Sequence, residues 1–231
     1  MTESDESDVA KRARLRLELA AGYFEQGKYT IALDEIKQSL SIQSSNAEAL
    51  NLRGLIYMRM NDSALAEDSF RRALALESAN GSVMHNYGWF LCGVSREKEA
   101  HEQFDRALKS ANYLNASKTH MAQAMCYQKM GKTNEALNAY LRSYELEPGN
   151  PIVGYNLGLI YYQQADYNRA QFQLRRINAG DLANQQTLWL GIKIESKLGN
   201  QLAVRQLAEQ LTSKFPNTED CLLYTSDAAD D

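Results

Sequence analysis

The chain has 231 residues, 44% of them apolar and 23% charged, with a net charge of −4 at pH 7. That composition can fill a continuous core, and it holds no apolar run near the ~18 residues a membrane-spanning helix needs. The acidic balance gives no basic field to attract nucleic acid, and three prolines and thirteen glycines, most at segment boundaries, favour one array over several linked domains.

Residues 1–8, MTESDESD, are acidic and without apolar periodicity, and read as a disordered lead-in with Ser7 or Asp8 as a helix cap. No export signal is visible there, so the chain reads either as cytoplasmic or as starting after a removed signal. The first unit, 9–46, carries Leu15, Leu19 and Tyr23 on one helix and Ala32, Ile36 and Leu40 on the next, turning at Gly27-Lys28-Tyr29. The second, 47–80, has Leu50, Gly54 and Tyr57, a turn at Asn61-Asp62, then Ala66, Phe70 and Ala73. The third, 81–116, contains HNYGWFLC (85–92) and is two residues longer than its neighbours, an extension expected in the loop before Ser117.

The fourth unit, 117–150, is the most complete. Met121, Ala124, Tyr127 and Met130, then Ala136, Tyr140 and Ser143, each follow one face of a helix, with Gly131 between the halves and Pro148-Gly149 as the stop. The fifth, 151–180, opens on Pro151, where a missing N–H costs nothing, and its second helix is cut short at Asn178-Ala179-Gly180. The sixth, 184–216, keeps Leu188, Gly199 and Ala203 but drifts by one residue, as terminal repeats do. Residues 221–231, CLLYTSDAADD, continue no pattern and read as a non-native tail of translated adapter sequence.

Ala32, Ala66, Ala100, Ala136 and Ala170 recur at steps of 34, 34, 36 and 34, each followed four residues on by Ile36, Phe70, Phe104, Tyr140 or Leu174. Upstream, Ala20, Gly54, Gly88, Ala124 and Gly158 each precede a bulky residue by three. This 34-residue small/large pattern resembles the tetratricopeptide (TPR) repeat. The resemblance implies an all-α fold: one TPR superhelix, a right-handed α-solenoid of about six helix-turn-helix repeats over 9–216.

Catalysis is not expected. His85, His101 and His120 do not share metal-ligand spacing with Cys, Asp or Glu, and there is no phosphate loop or nucleophile elbow, so neither metal nor cofactor is expected. Cys92 and Cys126 lie at the ends of two consecutive first helices, and two readings stay open: buried thiols in a reducing compartment, or a bridge in an oxidising one. The TPR resemblance places the first helices on the concave side. There the lining positions hold Leu17, Ala21 and Phe24, then Leu55 and Met58, His85 and Trp89, Met121 and Met125, and Tyr155, Leu159 and Tyr162. Such an apolar lining reads as a protein-docking groove, against the alternative that some of these side chains turn inward. Leu17 and Ala21 stand where carboxylate-clamping repeats carry Lys and Asn, so a peptide-tail clamp is not expected.

The order of ALNLRGLIYMRMNDSALAEDSFRRAL (49–74), HNYGWFLC (85–92), CYQKMGKTNEAL (126–137) and WLGIKIESKLGN (189–200) resembles the type IV pilus biogenesis TPR proteins, the PilF/PilW pilotin family. That resemblance implies a lipoprotein on the periplasmic face of the outer membrane, attached through an N-terminal lipid. Its partner would be the pilus secretin or another pilus component, whose localisation, assembly or stability it assists. The runner-up is a cytoplasmic TPR adaptor or co-chaperone-like assembly factor, with an enzyme a distant third.

Overall fold

The computed structural model describes residues 8–216, which form twelve α-helices and no strand. The expected tail at 221–231 and residues 1–7 of the expected lead-in lie outside the described residues, while Asp8 opens the first helix. In chain order the helices pair as hairpins: α1 (Asp8–Glu25) with α2 (Tyr29–Ile42), α3 (Ala47–Arg59) with α4 (Ser63–Leu76), and α5 (Gly81–Gly93) with α6 (Glu97–Leu108). There follow α7 (Ala116–Lys129), α8 (Thr133–Leu146), α9 (Pro151–Gln163), α10 (Tyr167–Asn178), α11 (Gln185–Lys197) and α12 (Gln201–Lys214). Two compact units divide the chain, one through Cys126 and the other from Tyr127.

The helix boundaries repeat with the sequence. Asn46, Asn80, Asn150 and Asn184 precede first helices, and each side-chain oxygen accepts a backbone N–H of the opening turn, an orphan donor at any helix start. Asp62, Asp166 and Asn200 do the same for second helices. Each hairpin turns on one residue with positive φ: Gly27, Asn61, Ser95, Gly131, Ala165 and Gly199. The next residue's N–H closes back five residues, as in Lys28 to Tyr23, Arg96 to Leu91 and Asn200 to Glu195, each at 2.9 Å. This is the Schellman end, which needs a left-handed residue.

The small/large pattern is a close-packing rule between the two helices of a hairpin. A Cβ on Gly54 would fall 2.7 Å from the Phe70 ring, and one on Gly88 2.8 Å from Phe104, while Gly158 faces Leu174 in the same way. Phe70, Phe104, Tyr140 and Leu174 are accordingly buried.

In the first unit, Leu17, Ala20, Ala32, Leu33 and Ile36 pack with Ala49 and Ile56 of α3. A second cluster joins Leu50, Phe70, Tyr87, Phe90, Leu91 and Phe104 to Ala122 and Cys126 of α7. Arg96 holds Glu67 at 2.7 Å and Glu99 at 2.6 Å, and the Tyr87 hydroxyl donates to Glu67 at 2.9 Å. The third repeat's two extra residues fall in loop 109–115. There Tyr113 lies over Gly81 and its hydroxyl meets Thr119 Oγ1 at 2.6 Å.

In the second unit, Leu188, Ile192, Ala208 and Leu211 form the last cluster. The sixth repeat's drift is real at its small residue, since Gly191 is the one pressed against Asn178 and Leu207. Its turn does not drift, because Gly199 stands 34 residues after Ala165. Glu195 occupies the register that holds Tyr161 in the fifth repeat. It is 3% exposed and is satisfied by Gln171 (2.8 Å), Asn200 (3.0 Å) and Arg175 (3.4 Å).

Candidate functional site

The residues read as a groove do not share one environment. Leu17 is a correction: it is 7% exposed and belongs to the α1–α3 core. An aliphatic side chain beside Ala20 and Ala49 fills the gap those alanines leave, and burying it recovers its full transfer free energy. Phe24 is half-buried and ring-packed on Tyr29 at 5.7 Å, and Leu55 and Met58 lean on the core cluster. Met121 and Ala21 are half-buried. Trp89 and Met125 are each 37% exposed, at equivalent positions of α5 and α7. Large apolar side chains open to water on a first-helix face are the surface a protein partner would cover.

His85, one helical turn before Trp89, is tied down. Its Nδ1 lies 2.9 Å from Thr119 Oγ1 and its ring packs 6.0 Å from Phe104. Burial, and secondarily the Lys118 charge, lower its pKa to about 4, so the ring is neutral at physiological pH. Cys92 and Cys126 are both buried and are joined as a disulfide with a Cα–Cα distance of 6.0 Å.

In the second unit, Tyr155 and Leu159 of α9 line a cleft of about 330 Å³ with Trp189, Leu190 and Lys193 of α11. The Lys193 ammonium sits 5.3 Å from the Trp189 ring centroid. Tyr162 is half-buried against Tyr167, 5.7 Å between ring centroids. Trp189 was missed in the sequence, where the drifting small residue hid the register. Counted back from the turn at Gly199, it falls at the place Tyr155 and His85 hold in their own repeats.

Among the described residues no group of three or more His, Cys, Asp or Glu side chains could hold a metal ion. His120 instead meets Gln123 Oε1 at 3.1 Å, and the His101 ring packs on Phe104. No described helix is long and apolar enough to cross a membrane.

Paired helices, Schellman turns at a 34-residue period and small-against-large packing define a tetratricopeptide-repeat protein, and the tetratricopeptide repeat and TPR repeat family models match residues 47–80 and 126–164. Along nearly its whole length the chain has the structure of the type IV pilus TPR proteins. PilF of Pseudomonas aeruginosa superposes with a TM-score of 0.83 at 22% identity, over 96% of this chain and 100% of that one. PilW, a widely conserved type IV pilus biogenesis factor, gives 0.80 at 26%, over 95% and 100%. YrrB, a TPR protein with an unusual peptide-binding site, aligns at 0.54 and 23% over 75% of this chain and 88% of its own. No curated protein matches by sequence.

Proposed function

We propose that the protein is a non-enzymatic scaffold for type IV pilus biogenesis that binds a segment of the outer-membrane secretin on its first-helix surfaces. The observation that carries this reading is the solvent-open pair Trp89 and Met125 on a fold like those of PilF and PilW. Burying an indole and a thioether against a partner supplies the kind of anchor that dominates protein interfaces. The Tyr155–Trp189 cleft offers a second seat, in which aromatic rings sit beside Gln185, Gln186 and a cation. The disulfide favours an oxidising compartment and so a periplasmic placement at the outer membrane over a cytoplasmic adaptor.

Trp89→Ala should abolish capture of the secretin from detergent-solubilised outer membranes, with helicity by circular dichroism unchanged. Undiminished capture rejects the surface assignment.

A further inference from the structure

In the first unit, α5 and α7 use the same two register places to meet the hairpin before them. In α5 they are Val83 and Tyr87, and Tyr87 donates to Glu67 of α4. In α7 they are Thr119, against His85, and Gln123, which donates to Asp105 of α6 at 2.8 Å. All four are buried. In α1 those places hold Leu15 and Leu19, which are 44% and 49% exposed. With Glu18, Gly22, Tyr23 and Gln26 they line one shallow depression.

A terminal repeat normally turns a polar face to water. The last described hairpin of the second unit does so: at the register where Gln171 and Arg175 meet the following hairpin, α12 has Arg205 and Glu209, both exposed. The α1 face instead exposes Leu15 and Leu19, an apolar patch of the kind a partner covers.

We propose that this face pairs with the α1 face of a second copy of the chain, antiparallel about a two-fold axis near Leu19. A two-fold contact makes one surface complement itself, and the α1 sequence meets that demand. Antiparallel pairing sets Leu15 against Tyr23 of the second copy, and Gly22, with no side chain, lets the two backbones approach. The charges also match. Lys11 and Glu25 are exposed on one edge of α1, and the pairing brings each beside the opposite charge of the second copy. Glu18, which meets its own counterpart across the axis, is neutralised by Arg14 at 2.7 Å. A single helix pair buries an area at the low end of specific interfaces, so the dimer forms in roughly the micromolar range.

Sedimentation velocity from ~1 to ~100 µM tests this. The wild type shifts to dimer across that range, Leu19→Glu weakens association by at least ~10-fold, and circular dichroism melts show that variant folded. Lys11→Glu and Glu25→Lys each weaken it, and the double exchange restores it. A wild type that stays monomeric throughout, as it would if another protein or a preceding segment covers this face, overturns the proposal. So does a Leu19→Glu protein that still dimerises, or a double exchange that fails to restore association.

Discussion

Gly88 shows how little slack the hairpins leave. A methyl there would lie 2.8 Å from the Phe104 ring and 3.1 Å from the Ala100 carbonyl oxygen, and the backbone oxygen cannot swing away. Gly88→Ala should therefore cost about 1–3 kcal/mol in urea denaturation despite alanine's better helix propensity. An unchanged midpoint would mean the hairpin opens freely. His85 makes a pH-dependent contribution whose sign follows from its burial. Its folded pKa lies near 4, below the ordinary histidine value of 6.5, so between those limits the unfolded chain binds the extra proton. Stability then falls as pH drops from about 6.5 toward 4, by at most ~1.4 kcal/mol per pH unit. His85→Gln should flatten the difference between midpoints at pH 7 and pH 5; an equal slope in both proteins assigns the effect to other groups.

Among the elements, the hairpin turns are where the repeats differ most in cost. Gly27, Gly131 and Gly199 adopt positive φ freely, but Ala165 holds φ 59° with a Cβ that crowds the following carbonyl. Ala165→Gly should stabilise the protein by about 0.5–1 kcal/mol, read as a rise in denaturation midpoint, because relief of left-handed strain outweighs the added chain entropy. The repeat framework was legible because the small/large pairs obey one packing rule from Ala32 to Leu174. Individual side-chain directions were less so. Leu17 occupies the same register as His85, yet one lies in a core and the other at its edge, since neighbouring alanines rather than register set how deep a side chain sinks. Trp189 became readable only from the left-handed turn at Gly199, a marker that stays in step where the small residues do not.

At the scale of the whole molecule, the covalent link between Cys92 and Cys126 is, among the described residues, the one restraint that outlasts loss of the fold. Closing a 34-residue loop lowers the entropy of the unfolded chain, so reduction should lower stability by about 3–4 kcal/mol. Intact-mass measurement with and without reductant identifies the species, and denaturation in each state gives the difference. Two free thiols in protein made in the periplasm would remove both this contribution and the argument for that compartment.

A chain under tension meets a different demand from one that merely stays folded. If this chain is pulled by its two ends until the helices unravel, the cross-link keeps the segment from Cys92 to Cys126 out of the extending thread. Roughly 11–12 nm of contour is withheld, at ~3.3–3.6 Å per residue over a sequence separation of 34. The bridged hairpin thus sets a limit on how far a tethered molecule can stretch.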